Sequence, residues 1–139
     1  LSRIIDLTTS DGASEVHRIS DREMLREMSA LVGKVKIAED VKRYAIRIAL
    51  ATHANSFEAV EAVNRYVSYG ASPRGAQSMV MAAKVKALTG GRYNVSYEDL
   101  RDIALPSLRH RILLNFEGEV AKITSDDIIH DILAKLRPA

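Results

Sequence analysis

Apolar residues recur at helical spacing along most of the chain. Between residues 20 and 33, and again between residues 38 and 53, they return every three or four positions, which is typical of amphipathic helices. Ser20 and Glu23 match a capping box, in which two side chains satisfy N–H groups at a helix start. We therefore predict one helix over 20–33 and a second over 38–53.

A third, shorter helix is predicted between residue 55 and about residue 66. Either Asn55 or Ser56 can cap its first turn, since both side chains accept hydrogen bonds from free N–H groups. The apolar residues expected on its buried face are Phe57, Val60 and Val63.

The clearest helix start in the chain is the segment Gly70-Ala71-Ser72-Pro73-Arg74. Ser72 suits the N-cap, and Pro73 suits the first helical position, where its missing N–H is not needed. Gly90 and Gly91 follow the apolar stripe and predict its end, because glycine readily adopts the left-handed conformation after a helix.

Two more helix starts follow. Ser96 and Asp99 have the spacing of a second capping box, and the segment Thr124–Asp127 is expected to begin the last helix. Pro106 lies between these two starts and is predicted to end the helix that begins near Ser96, because proline breaks a helix interior. The residues expected in a further helix beyond it are Leu108, Ile112 and Leu113.

The elements together predict an all-α fold, a small helical bundle with about six helices and at most a minimal β pairing. That pairing is expected to involve residues 35–37 or 93–95, two short extended segments between helices. Residues 11–14 are predicted to be a loop from their composition.

Composition narrows the class of protein. The chain has no cysteine, so it forms neither a disulfide nor a thiolate metal site. Its longest apolar runs are far shorter than the roughly 20 residues that span a bilayer, and we expect no membrane association. Twenty basic residues and eighteen acidic residues are mixed along the chain, without the basic stripe that nucleic-acid binding usually requires.

Candidate catalytic residues are scarce, and one residue is unusual. The four histidines lack the paired spacing of a metal site. Arg74 would place a cation in the first turn of a helix, where it is disfavoured by about 0.3–1 kcal/mol. The same position suits an anion such as phosphate, which free N–H groups and a guanidinium can bind together. The alternative is that Arg74 pairs with a carboxylate or points into water.

Gly70-Ala71-Ser72-Pro73-Arg74 resembles the start of the sensor 2 helix in the MoxR family of AAA+ ATPases. Other segments resemble that family in the same order, and the match runs from about residue 20 to 136. These segments are 44–52, 93–100, 108–112 and 124–129. The chain departs from the family in two places. His53 follows Thr52 at a position where the family often has arginine, and the segment over 53–70 is longer than the commonest version in the family.

The resemblance implies a helical lid domain that closes over ATP bound by an N-terminal core. Arg74 would then be the sensor 2 arginine and have a catalytic role at the γ-phosphate. Ser72, Pro73 and Gln77 would bind the nucleotide beside it. The implied cofactor is ATP with Mg²⁺ in the full-length parent, with none expected on this fragment alone.

The same resemblance implies partners and a domain division. The partners would be the lid's own AAA+ core, neighbouring subunits of a homo-oligomeric ring, and a client such as a von Willebrand A-domain protein, in the cytoplasm. Residues 1–19 would connect to the core and residues 20–139 would form the lid. The chain begins at Leu1 and has no phosphate-binding loop. We therefore expect a fragment that is not an active ATPase by itself, cut from a parent that is one.

Two other functions are compatible with short capped helices. A helical nucleic-acid-binding module would need basic residues concentrated on one exposed helix. A helical protein-interaction module with no nucleotide role would make Arg74 incidental.

Overall fold

The chain is built mainly from helices, in a computed structural model that describes residues 1–9 and 17–137. Its elements in those ranges are α1 (Ser2–Thr9), α2 (Arg22–Lys34), α3 (Glu39–Ala51), α4 (Glu61–Tyr66), β1 (Val67–Tyr69), α5 (Pro73–Thr89), α6 (Tyr97–Leu108), β2 (Leu113–Leu114), α7 (Phe116–Val120) and α8 (Ser125–Lys135). The predicted all-α fold is confirmed, with α1 and α7 as helices that had not been predicted. The loop predicted over 11–14 lies outside the described residues.

α5 lies at the centre of the bundle, packed against α2, α3 and α6. Its buried residues recur at every fourth position, and three of the four are small, which lets the neighbouring helices approach closely. They are Gly75, Met79, Ala83 and Ala87. Apolar stripes of the surrounding helices complete the core, with Ile48 from α3, Leu100 and Leu108 from α6, and Ile129 and Ile132 from α8.

Side-chain caps fix the starts of α6 and α8. Ser96 and Asp99 form the predicted capping box at α6, and Thr124 and Asp127 form one at α8. In each pair the hydroxyl accepts from the third N–H of the helix, and the carboxylate accepts from the N–H of the cap residue.

α5 begins and ends where the sequence predicts. Pro73 is its first residue and Ser72 occupies the N-cap position, but the Ser72 side chain makes no capping hydrogen bond, so the predicted side-chain cap is absent. At the other end Gly91 has a φ of 71°, the left-handed conformation expected of a glycine after a helix.

The predicted capping box at Ser20 is wrong, because Asp21 caps α2 instead. The Asp21 carboxylate accepts a hydrogen bond of 2.8 Å from the N–H of Met24. A carboxylate accepts this bond as well as a hydroxyl does, and its charge also favours the positive end of the helix.

The helix predicted from Asn55 or Ser56 begins instead at Glu61. Asn55 has a φ of 64°, which no helix can continue through, and the residues after it form turns. Phe57 was expected in the core and is fully exposed, because the loop carries it away from the bundle. Val60 and Val63 are buried as predicted.

Pro106 does not end the helix as predicted, since α6 continues through it to Leu108. Proline removes one helical hydrogen bond, but the same helix buries Leu100, Ala104 and Leu108, and those apolar contacts favour its continuation. The further helix predicted for Leu108, Ile112 and Leu113 is therefore wrong. A turn follows α6, Ile112 is buried beyond it, and Leu113 begins β2.

The two predicted extended segments pair with each other. Lys36 and Asn94 form an isolated parallel bridge, in which the Lys36 N–H donates to the Tyr93 carbonyl and the Val95 N–H donates to the Lys36 carbonyl, each at 3.0 Å. The antiparallel pair β1–β2 was not predicted, because strands of two and three residues are too short for an alternating pattern.

Asp99 and Arg92 form the most deeply buried ion pair in the described part of the chain. The Asp99 side chain is only 3% exposed and accepts two bonds from the Arg92 guanidinium, of 2.6 and 2.7 Å. These bonds, together with those from Ser96, hold the pKa of the Asp99 carboxyl far below its usual range, against the opposing effect of burial.

We predict that Asp99→Asn lowers the free energy of unfolding by about 2 kcal/mol at pH 7, because hydrogen bonds between charged groups are lost. A carboxyl with a lowered folded pKa stabilises the fold above its unfolded pKa of about 3.9 and loses that effect as pH falls below it. The deficit should therefore shrink by about 1 kcal/mol between pH 7 and pH 3 in urea unfolding. Asp127→Asn, at the same capping position but exposed and unpaired with arginine, is the control with a smaller loss. A deficit that does not change with pH would contradict this account.

Gly70 is the point where the chain returns from β1 to the end of α3. A Cβ atom there would lie 2.5 Å from the carbonyl oxygen of Thr52 and 2.7 Å from its hydroxyl oxygen. Real Cβ atoms do not approach backbone so closely, so only glycine fits without a shift of the loop.

We predict that Gly70→Ala destabilises the chain by about 1–3 kcal/mol, since an overpacked methyl must displace backbone. The control is Gly33→Ala in α2, where a Cβ would meet no atom within 4 Å. That change should be neutral or stabilise by up to about 1 kcal/mol, because alanine is the better helix former. Thermal unfolding of both variants checks the pair, and equal effects would exclude the close approach at Gly70.

Candidate functional site

The predicted site lies at the exposed start of α5. Ser72, Pro73 and Arg74 are all exposed, and Arg74 is the second residue of the helix. The first N–H groups of a helix have no partner within it and carry partial positive charge. In α5 the Ser72 hydroxyl makes no capping bond, Pro73 has no N–H, the Gly75 N–H donates to the Ser72 carbonyl oxygen at 2.7 Å, and the first turn holds no carboxylate. The start of α5 therefore presents a guanidinium and a positive helix end to solvent.

Arg74 has no counter-charge in the described part of the chain. Ten of the twenty basic residues form ion pairs there, and Arg74 is not among them. Of the alternative stated for Arg74, the described residues therefore do not bear out pairing with a carboxylate, and its exposed side chain agrees with pointing into water. The same pairing neutralises half of the basic residues, which disfavours a nucleic-acid interface.

Gln77 lies one helical turn after Arg74, on the same side of α5. It borders an open apolar groove of about 330 Å³ between α3 and α5. The groove is lined by Lys42, Ala45, Ile46, Ala76, Gln77, Val80 and Met81. The four residues predicted to bind nucleotide thus adjoin one another, with a cation at one end and an apolar surface beside it.

The end of α3 holds the loop that leads into this helix. The hydroxyl of Thr52 accepts a hydrogen bond of 2.8 Å from the N–H of Ala71, and Nε2 of His53 lies 2.9 Å from the Ala71 carbonyl oxygen. Both backbone polar groups of Ala71 are therefore bound by consecutive residues of one helix end.

The segment after α6 contacts the first turns of α5 from another side. Arg111 donates to the hydroxyl of Ser78 at 3.2 Å, and that hydroxyl donates to the carbonyl oxygen of Arg74 at 2.8 Å. The side chains of Arg111 and Leu108 also border Gly75 closely enough that a Cβ there would be crowded.

Sequence reasoning found the residues of the α5 start and missed those that hold it. Thr52 was noted only for the residue that follows it, and Arg111 only as part of a matching segment. The sequence shows that Thr52 follows the apolar residues of the predicted helix. Its partner Ala71 lies 19 residues further along the chain, at a distance that no local spacing reveals.

The described residues do not gather the ligands of a metal site. No group of three or more histidine, aspartate or glutamate side chains is placed to hold an ion there. None of the described helices is long and apolar enough to cross a membrane.

Comparison with known proteins matches the chain to a family and to two relatives. Residues 59–132 match the family of the AAA lid domain. The chaperone MoxR1 of Mycobacterium tuberculosis (strain ATCC 25618 / H37Rv) is 30% identical over 90 residues, which are 65% of this chain and 24% of that protein. The crystal structure of a candidate ATPase from Cytophaga hutchinsonii ATCC 33406 superposes with a TM-score of 0.84 at 30% identity, and the match covers 99% of this chain and 42% of that one.

The chain spans about a quarter of the MoxR1 chaperone and less than half of the solved ATPase chain. The family match covers more than half of the chain. The chain belongs to the AAA lid domain family, and it is a lid of the MoxR type within the AAA+ ATPases.

Proposed function

We propose that this chain closes over ATP held by an adjoining AAA+ core and contacts the terminal phosphate through Arg74. The observation that carries the proposal is an exposed arginine at the start of α5 with no counter-charge among the described residues. A guanidinium presents donors in a fixed fork that matches phosphate oxygens, and the helix end adds positive potential at the same place.

Phosphoryl transfer is catalysed largely by positioning and by stabilising negative charge on the transferred group. We propose that Arg74 supplies part of that charge stabilisation when the lid closes. Ser72, Pro73 and Gln77 would then lie beside the nucleotide, with Gln77 at the edge of the apolar groove. Closure would also exclude water from the nucleotide, which strengthens each electrostatic contact.

The remaining parts of the reaction belong to the core. The chain contains no phosphate-binding loop, and its described residues do not form a carboxylate cluster for Mg²⁺. The Mg²⁺ bound with ATP would neutralise phosphate charge on the core side. The lid would then pass the nucleotide state to neighbouring subunits of a ring and so to a client protein, which we propose by analogy with the chaperone relative.

The apolar face of α2 is the proposed contact with the core. Met24, Leu25, Met28 and Leu31 are between 45% and 57% exposed, and α2 buries none of its residues. A contiguous exposed apolar face of this kind usually marks an interface. Contact with the core would anchor the lid near its N-terminal end while the start of α5 moves against the nucleotide.

We predict that Arg74→Ala, in the protein that joins this chain to its core, slows ATP hydrolysis by about tenfold to a hundredfold. That is less than the roughly 10³- to 10⁵-fold loss of an arginine finger, which acts on the same charge. Steady-state turnover measures it. Circular dichroism of this chain should show the fold unchanged, since Arg74 is exposed and forms no ion pair with the residues that the structure describes.

Arg43→Ala is the control, because Arg43 is also an exposed arginine and lies on α3, outside both the proposed core contact on α2 and the start of α5. It should leave ATP turnover unchanged. Normal turnover and a normal response to ATP in the Arg74 variant would exclude the proposed function, and an equal loss in both variants would reduce it to a nonspecific charge effect.

A further inference from the structure

We infer that Thr52 is a positioning residue for Arg74, because its buried hydroxyl fixes the loop from which α5 begins. The inference rests on the proposed function of Arg74. It concerns how an exposed guanidinium without a counter-charge is held in a defined place.

Thr52 is completely buried, and its hydroxyl uses both its donor and an acceptor lone pair. It donates to the carbonyl oxygen of Ala49 at 2.6 Å and accepts from the N–H of Ala71 at 2.8 Å. A bond back to the preceding helical turn is common for threonine. Here it has a second effect, since it orients the free lone pair towards Ala71.

Two further contacts restrict the same loop. Nε2 of His53 lies 2.9 Å from the carbonyl oxygen of Ala71, so the peptide groups on both sides of that residue are bound. Gly70 lets the loop lie against the Thr52 carbonyl, where any Cβ would be only 2.5 Å away. Glycine at 70 therefore permits this position of the loop, and the Thr52 hydroxyl and His53 bind the loop there.

Fixing Ala71 also limits where the backbone of Arg74 can lie, because Arg74 is only three residues further along the chain. Ser72 is extended and Pro73 has a φ fixed by its ring, so little freedom remains between them. On the far side, the Arg74 carbonyl oxygen is held by Ser78, which Arg111 contacts in turn. Arg74 has no ion pair of its own in the described chain, so its backbone anchors determine where its side chain begins.

The first test asks whether the hydroxyl holds the loop. Hydrogen exchange of the Ala71 amide, measured by NMR on this chain, should be at least about tenfold faster in Thr52→Val, since exchange follows local opening. Thr52→Ser keeps the hydroxyl and should keep most of the protection. Unchanged protection in Thr52→Val would overturn the inference.

The second test is a double-mutant cycle on ATP turnover in the protein that joins this chain to its core. Thr52→Val should lower kcat by at least about tenfold, because displacing a functional group by about 1 Å can cost about a hundredfold. Thr52→Ser should restore most of the rate. In the Arg74→Ala background, Thr52→Val should cause no further loss, because Thr52 acts through Arg74.

The outcomes separate this inference from the proposed function. If Arg74→Ala leaves turnover normal, the proposed function fails and the inference fails with it. If Arg74→Ala slows turnover but the Thr52→Val loss is absent, or adds in full to the Arg74→Ala loss, only the inference is wrong. Where Thr52→Val does not fold, Thr52→Ala also removes the hydroxyl and serves in the same cycle, with the same expected and contradicting results.

Discussion

The hydrogen bond from the N–H of Ala71 to the buried hydroxyl of Thr52 joins two parts of the chain on which the rest of the site depends. It brings the loop after β1 against the end of α3 and sets the point from which α5 runs through the centre of the bundle. The apolar groove between α3 and α5 then follows from how these two helices lie together. A backbone N–H buried without this partner would cost free energy, so the contact specifies the junction as well as stabilising it.

The first turn of α5 differs from those of α3, α6 and α8. α3 begins with Glu39 and Asp40, and α6 and α8 have aspartates in their capping boxes, so carboxylates balance the positive helix ends there. α5 has Pro73 and Arg74 in that place and no acidic residue in its first turn. Local stability alone would not favour this choice, and such departures are expected where a protein binds a ligand.

Much of the fold could be predicted because its signals are local. The Ser96 and Asp99 capping box and the Ser72-Pro73 start each lie within a few residues, so periodicity and caps located these helices correctly. The predictions for Phe57 and Pro106 were wrong because their outcomes depend on contacts that are not local. Whether an apolar residue is buried, or a helix survives a proline, depends on tertiary packing that local spacing does not contain.

The candidate site was likewise predicted only in part. Arg74 stood out because a cation in a first helical turn is locally unfavourable, and the family resemblance gave it a role. Thr52, His53 and Arg111 hold that turn through contacts between residues 18 to 33 positions apart, and a single sequence does not reveal such pairs. The sequence therefore indicated which residue we propose to act, and the structure shows which contacts hold its backbone.

The central claim is that Arg74 meets the terminal phosphate of ATP when the lid closes. An experimental structure of the protein joined to its core, bound to a non-hydrolysable ATP analogue, tests this most directly. The account predicts that the Arg74 guanidinium lies within hydrogen-bond distance of a γ-phosphate oxygen, at about 3 Å, with Ala71 still bound to Thr52. A closed, nucleotide-bound lid whose Arg74 points away from the phosphates would contradict it.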